Sequence, residues 1–127
     1  MLIPNESEIA ARAMKVVEKL WGREFWLVNT KKYCCKLLKI KPGFISSLHS
    51  HPKKDETFYG LMGVVQLVTQ DGDGQHTFII TAGRQHQIAP GTPHSFQAIG
   101  ESWILEVSTH HDDKDVIRLQ PSRKLEP

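Results

Sequence analysis

Three histidines and one glutamate have the residue types and the spacing of a set of metal ligands. His49 and His51 are two residues apart, so on a strand both imidazoles point to the same face. Glu56 follows a short polar turn and can return its carboxylate to that face from the next strand, and His94 stands at the start of a later strand-like stretch. Imidazole and carboxylate ligands suit a divalent first-row metal, so the sequence predicts a bound Mn, Fe, Co, Ni or Zn ion.

The segment that contains the first three of these residues resembles the first motif of the cupin superfamily. It begins at Gly43, and five residues lie between this glycine and the His-x-His pair. Four residues then precede the glutamate, and six more precede Gly63. Every position of that motif is therefore present.

The segment around His94 resembles the second cupin motif in part. Gly83, Gly91 and His94 fall at the positions expected for that motif. Ala89 stands where a proline is usual, and Ala98 stands where an asparagine is often found. These departures affect the shape of a turn and leave the metal-ligating histidine in place.

The cupin resemblance implies both a fold and a ligand set. The fold is all-β, a small antiparallel jelly-roll barrel with a short N-terminal helix, and the metal lies in the barrel mouth on His49, His51, Glu56 and His94. Two alternatives without metal stay open: histidines that are packed or exposed in a hairpin, and a cupin that has lost its metal. The presence of all four ligands favours the metal site over both.

The rest of the chain must supply the strands that carry these ligands. β-branched and aromatic residues occur in short runs, and these runs are separated by turns rich in proline, glycine and aspartate. The predicted strands are Phe25–Val28, Tyr33–Ile40, Thr57–Leu61, Val64–Thr69, Thr77–Ile80, Ser95–Ile99 and Trp103–Ser108. Ahead of them, Ser7 can cap a helix over about residues 7–19, although the valines at 16 and 17 also suit an extended segment. Strands at this spacing are typical of an all-β sandwich or barrel.

Length and composition restrict the organisation of the chain and its partners. The 127 residues predict a single cupin domain over 1–127, with a core at about 21–109 and a polar C-terminal tail at 110–127. The 16 basic and 14 acidic residues give a net charge of +2, which argues against nucleic acid as a partner. No apolar run reaches the ~20 residues of a membrane helix, and the first residues lack a signal-peptide pattern, so we expect a cytoplasmic protein without a membrane partner.

Strand alternation predicts which side chains share the barrel interior with the metal. Lys36 and Leu38 lie on one face of their strand, and Glu106 and Ile104 lie on one face of theirs. If the apolar members face inward, the lysine and the glutamate do too, and such charges are costly unless they are paired or functional. Glu106 is therefore a candidate proton-transfer base, and Lys36 or Lys54 is a candidate for binding substrate hydroxyls or a phosphate. A structural ion pair at the barrel rim is the alternative.

Two further segments resemble the sugar isomerase cupins, a group that includes the type II phosphomannose isomerase domain and the relatives of D-lyxose isomerase. They are Leu20–Phe25, which contains a Trp-Gly pair, and Leu105–Arg118, which contains three aspartates. Residues 119–122 differ from the phosphomannose type, which has an aromatic residue and a glycine there. The resemblance implies an aldose–ketose isomerase that acts on a free or phosphorylated sugar through an enediolate at the bound metal, as a homodimer.

Two other functions are compatible with the same ligands. One is an iron-dependent cupin dioxygenase, and the other is a non-catalytic cupin that binds a sugar or another metabolite. Outside the ligand set, His110 and His111 stand beside two aspartates, and a solvated polar tail is the expected setting for both.

Overall fold

Residues 5–126 form one short helix and thirteen strands, and they are the residues that this computed structural model describes. The helix, α1, spans Glu6–Arg12. The strands, in chain order, are β1 Lys15–Lys19, β2 Gly22–Asn29, β3 Cys34–Ile40, β4 Phe44–Ile45, β5 Leu48–Ser50, β6 Glu56–Met62, β7 Val64–Asp71, β8 Gly74–Thr81, β9 Gln85–Ile88, β10 His94–Ala98, β11 Ser102–Ser108, β12 Ile117–Gln120 and β13 Arg123–Lys124. These strands pair antiparallel, which confirms the predicted all-β fold.

The strands form two main sheets that face each other, as in a jelly roll. The first sheet has the order β1-β2-β3-β11-β6-β9, and the second has the order β12-β5-β10-β7-β8. A small third sheet pairs β13 with β4. Because some neighbouring strands, such as β3 and β11 or β5 and β10, are distant in sequence, residues far apart in the chain meet at one end of the barrel.

The core lies between the two main sheets. Leu38 and Ile104 contribute from the first sheet, and Leu67 and Phe96 contribute from the second. Side chains alternate inward and outward along each strand, so the polar residues in phase with these apolar ones also face inward. The apolar filling occupies the middle of the barrel and leaves polar side chains at one end.

The N-terminal segment differs from its prediction, since the helix ends at Arg12 and residues 15–19 form a strand. Asn5 rather than Ser7 caps the helix, because the Asn5 side chain accepts a hydrogen bond from the Ser7 amide. The valines at 16 and 17 favour extended backbone, and their strand pairs with β2. At the turn, a Cβ on Gly22 would lie 1.9 Å from the Lys39 carbonyl oxygen, so only glycine fits there. No helix among the described residues is both long and apolar enough to cross a membrane.

The C-terminal segment, predicted as a polar tail, adds a strand to each of two sheets. β12 pairs with β5 and so extends the sheet edge that carries His49. β13 pairs with β4. All residues of β12 are exposed. Its four residues alternate apolar and polar side chains, but the run is short and lies within a largely polar stretch, so it is a weak strand signal.

Candidate metal centre

The predicted ligands come from both sheets and meet at the polar end of the barrel. His49 lies on β5, directly opposite His94 at the start of β10. His51 follows β5, and Glu56 begins β6 in the opposite sheet. The fold therefore brings together all four residues that the sequence selected, and we call them the metal cluster.

The four side chains lie within the contact distances of one site. Ring nitrogens of the three histidines all lie within 4.8 Å of one another. Glu56 Oε1 lies 2.8 Å from His94 Nε2, and Glu56 Oε2 lies 3.9 Å from His51 Nε2. The side chains of His94 and Glu56 are each only 2% exposed, so the cluster is shielded from solvent.

Each histidine of the metal cluster has its Nδ1 atom tied to the backbone. The Nδ1 atom of each donates to a carbonyl oxygen: His49 to Ser47 at 3.1 Å, His51 to Asp115 at 2.7 Å and His94 to Thr92 at 2.9 Å. A carbonyl only accepts hydrogen bonds, so the ring proton of a neutral imidazole resides on Nδ1. The Nε2 lone pairs are then free to bind a metal, as in most protein metal sites.

Burial keeps the imidazoles of His49 and His51 neutral. Burial and the nearby His94 lower the pKa of His49 to about 3. Burial and the charge of Lys54 also lower the pKa of His51. A neutral imidazole is the form that binds metal, so both histidines are ready as ligands near neutral pH.

The position of Glu56 shows that this donor set fits a cation. Although burial opposes ionisation, the contact with His94 and the charge of Lys54 hold the pKa of Glu56 below its usual range. Its Oε1 atom lies 2.8 Å from His94 Nε2, so the two atoms are close enough to bind one cation. Glu56 Oε2 is buried and has no well-aligned hydrogen bond within the described residues, although Lys54 Nζ lies 3.0 Å away. A divalent cation would satisfy both atoms.

A second group of polar side chains lies in the same cavity, which has a volume of about 310 Å³. We call Lys36, Lys54, Glu106 and His111 the lysine cluster. Lys54 Nζ lies 3.0 Å from Glu56 Oε2 and 3.4 Å from Glu106 Oε2. Lys36 Nζ lies 3.9 Å from the same Glu106 oxygen. Lys36 and Glu106 thus face the interior, as strand alternation predicts, while their catalytic roles stay predictions.

The charges of the lysine cluster are nearly balanced within the barrel. Burial and the negative charge of Glu56 raise the pKa of Glu106, although Lys54 and Lys36 act against this. The carboxylates of Glu106 and Glu56 outweigh the effect of burial on Lys54 and raise its pKa. A carboxylate whose pKa is raised towards neutrality is suited to accept and return a proton.

Comparison with known proteins identifies the family. Residues 36–109 match the family described as Cupin domain. The chain belongs to the cupin family. The matched range begins in β3 and ends just after β11, so it contains the whole metal cluster.

Two curated relatives of this cupin are sugar isomerases. The D-lyxose/D-mannose isomerase of Thermosediminibacter oceani is 34% identical over an alignment that covers 79% of this chain and 68% of the relative. The D-lyxose ketol-isomerase of Cohnella laeviribosi is 30% identical, with 70% of this chain and 63% of the relative covered. The chain thus spans about two thirds of the length of these relatives.

Solved structures share the fold of this cupin at lower sequence identity. A variant of Bacillus subtilis oxalate decarboxylase has a TM-score of 0.74 and 21% identity, over 83% of this chain and 30% of that one. KdgF from Halomonas sp. has a TM-score of 0.69 and 14% identity, over 79% of this chain and 89% of that one. At this level of identity the likeness concerns the fold alone.

Sequence reasoning missed the part that the C-terminal segment of this cupin takes in the site. The expectation of a solvated setting is wrong for His111, whose ring lines the cavity, whereas His110 is exposed as expected. The Asp115 carboxylate accepts hydrogen bonds from the amides of Lys53 and Lys54, both at 2.9 Å, and its carbonyl holds His51. The resemblance of this aspartate-rich segment to sugar isomerases was the signal that could have revealed its role.

Arg118 is a second missed residue of this cupin, and it supports His49. Its Nη1 atom donates to Ser47 Oγ at 3.3 Å, and that hydroxyl lies 2.8 Å from His49 Nδ1. β12, which carries Arg118, pairs with the strand of His49. The C-terminal segment therefore supports two of the three histidines at Nδ1: His51 directly, through Asp115, and His49 indirectly, through Ser47.

Proposed function

We propose that this cupin is an aldose–ketose isomerase that binds one divalent transition metal through His49, His51, Glu56 and His94. The observation that carries the proposal is the convergence of three imidazole rings on a buried carboxylate, beside an interior glutamate. The likeness to curated D-lyxose isomerases supports the choice of reaction. The metal would be Mn, Fe, Co, Ni or Zn, since imidazole and carboxylate ligands suit each of them.

The chain's own residues would move the proton and hold the sugar. When bound, a divalent cation polarises adjacent carbonyl and hydroxyl oxygens and so acidifies the C–H bond on the carbon that carries the hydroxyl group. Glu106 would accept the proton from C2 and return it to C1 of the resulting enediolate, while a hydroxyl proton passes from O2 to O1. Hydrogen moves within one molecule, so the reaction needs no oxidant or reductant. Lys36 or Lys54 would donate hydrogen bonds to substrate oxygens.

The charges at the buried end of the cavity favour an unphosphorylated sugar. Both lysines of the described interior already face carboxylates: Lys54 faces Glu56 and Glu106, and Lys36 faces Glu24 and Glu106. A phosphate dianion would have to compete with these carboxylates for the ammonium groups. A sugar hydroxyl carries no charge and fits such a balanced interior, so the substrate is a free aldose of the lyxose or mannose kind.

The test combines metal analysis with a screen for sugar conversion. Elemental analysis of the purified protein identifies the metal, and the protein with that metal restored is then incubated with free aldoses and their phosphates. We expect about one metal per chain and conversion of a free aldose, such as D-lyxose or D-mannose, to its ketose. H94A should lose both metal and activity, while H76A, which changes an exposed histidine outside the cavity, should keep both.

Three results would contradict the proposal. The first is wild-type protein that retains none of the five metals. The second is oxygen uptake on addition of iron and substrate, which would indicate a dioxygenase. The third is sugar binding without conversion across the panel, which would indicate a binding protein. Light scattering on the same sample measures the expected homodimer.

A further inference from the structure

His111 enters the cavity from the C-terminal segment and is held there from several sides. Its backbone makes two hydrogen bonds with the Asn29 side chain: the His111 amide donates to Asn29 Oδ1 at 3.0 Å, and the His111 carbonyl accepts from Asn29 Nδ2 at 3.2 Å. Its ring packs edge-on against Trp26 with the centroids 4.7 Å apart. The His111 Nε2 atom lies 2.8 Å from Asp113 Oδ1. These contacts fix both the position and the rotation of the imidazole.

The surroundings of the ring determine which nitrogen carries the proton. His111 Nδ1 lies 3.1 Å from Lys36 Nζ and 3.3 Å from Lys54 Nζ. An ammonium group only donates hydrogen bonds, so Nδ1 must accept, and the proton on Nε2 is donated to Asp113. Burial and the charge of Lys36 lower the pKa of His111 to about 4, which keeps the ring neutral near pH 7.

One lone pair on Nδ1 is thus shared by two ammonium groups, and only one can make a full hydrogen bond at a time. Lys54 has two other close partners, Glu56 Oε2 at 3.0 Å and Glu106 Oε2 at 3.4 Å. Lys36 has no such alternative in the described residues, because Glu106 and Glu24 lie 3.9 Å and 4.0 Å away. Lys36 is therefore the buried cation with the most to gain from a new acceptor.

We propose that His111 is a positioning residue, whose Nδ1 atom holds the Lys36 ammonium group towards the cavity until a sugar hydroxyl takes its place. When the sugar binds, Lys36 turns to the hydroxyl and the lone pair of His111 passes fully to Lys54. The exchange leaves both ammonium groups with a close acceptor when the sugar is bound. This inference rests on the proposed function and assigns Lys36, rather than Lys54, to the substrate.

The experiment compares the removal of the acceptor with its conservative replacement. H111L removes the lone pair, whereas H111N places an amide oxygen near the position of Nδ1. H110L and H110N are the matched controls, since His110 is adjacent but exposed. We measure kcat and KM for the converted aldose, the binding of the corresponding alditol by calorimetry, and the metal content of each variant.

We expect H111L to raise KM and to weaken alditol binding by about tenfold, the effect of one hydrogen bond to a charged group. The kcat value and the metal content should change much less, because His111 contacts neither Glu106 nor a proposed metal-coordinating atom. H111N should restore most of the binding. Both His110 variants should match the wild type.

Nitrogen NMR of the histidine rings tests the arrangement without any activity. We expect the His111 signals to report an unprotonated Nδ1 and a protonated Nε2 in the free protein. The opposite tautomer would overturn the inference, as would H111L with wild-type binding or H111N without rescue. A wild-type protein that converts no aldose would instead overturn the proposed function, while the NMR result would still decide the position of the proton.

Discussion

The metal cluster and the lysine cluster share one cavity but have opposite electrostatic needs. In the metal cluster, the Nδ1 proton of every histidine is tied to a backbone carbonyl, and the Nε2 side of the rings faces a carboxylate whose nearby ammonium group, that of Lys54, belongs to the lysine cluster. In the lysine cluster, ammonium groups, a carboxylate and an acceptor nitrogen already satisfy one another. The first group is therefore arranged to receive a cation, while the charges of the second are paired with one another.

This difference predicts that the two clusters respond differently to substitution. Loss of a residue from the metal cluster should reduce metal binding, whereas loss of a charge from the lysine cluster should leave a buried partner uncompensated. The four predictions below test that contrast, beginning with the largest expected effect.

E106Q should reduce kcat by about 10²–10⁴-fold, because the amide cannot accept and return a proton. Its metal content should remain that of the wild type, since Glu106 is outside the metal cluster. E24Q is the matched control: it removes a carboxylate that lies 4.0 Å from Lys36 Nζ, a distance similar to that of Glu106. Turnover by E106Q at a rate close to that of E24Q would show that Glu106 is not the base.

K54M should lower the free energy of unfolding of the metal-free protein by about 3–5 kcal/mol, since it leaves the buried carboxylates without their cation. Lys54 is only 4% exposed and faces both Glu56 and Glu106. Urea unfolding of K54M and of K53M, which changes the exposed neighbour, measures the difference. Added metal should restore part of the stability of K54M, because it neutralises Glu56. Equal stabilities of the two variants would contradict the charge balance described above.

The metal-free wild type should lose more stability than H111N as the pH falls from about 6.5 to about 4. In the unfolded chain a histidine binds a proton near its ordinary pKa of 6.5, whereas folded His111 stays neutral down to about 4. The unfolded state therefore binds more protons than the folded state in this window. As a result, the free energy of unfolding is highest above pH 6.5, and protonation of His111 in the unfolded chain lowers it by up to roughly 3 kcal/mol as the pH falls to about 4. Urea unfolding at several pH values gives both curves; parallel curves would rule out a neutral buried His111.

D115A should weaken metal binding by about tenfold, the effect typical of losing a residue that orients a metal-ligating side chain. The variant keeps the carbonyl that accepts from His51 but loses the hydrogen bonds from the amides of Lys53 and Lys54, so that carbonyl is held less firmly. D112A removes a carboxylate from the same segment, and its metal affinity should match the wild type. Metal titration with a competing chelator measures both, and equal affinities would place the support of His51 elsewhere.

Much of the metal cluster could be predicted because its signals are local. A histidine pair at alternate positions needs only a strand to share a face, and Glu56 needs only the next strand. The inward position of Lys36 and Glu106 followed in the same way from the apolar residues in phase with them. Such predictions require the period of a strand but no knowledge of which strands pair.

The remaining features depend on contacts that no local pattern encodes. The run around Val16 and Val17 is too short to separate a strand from a helix by its period, and its pairing with β2 decided the outcome. The position of His111 depends on hydrogen bonds with Asn29, 82 residues away. The polar residues around His111 give no local sign of such docking, and the alternation in β12 covers only four residues.

The hydrogen bond from His51 to the Asp115 carbonyl joins residues 64 positions apart and has a consequence for how the family is recognised. The cupin match ends at residue 109, so this partner of a metal-cluster histidine lies beyond it. Two cupins with identical motifs can therefore hold their metal with different strength. In this chain, we therefore expect metal retention to depend on the docking of the segment around Asp115 as well as on the four ligands.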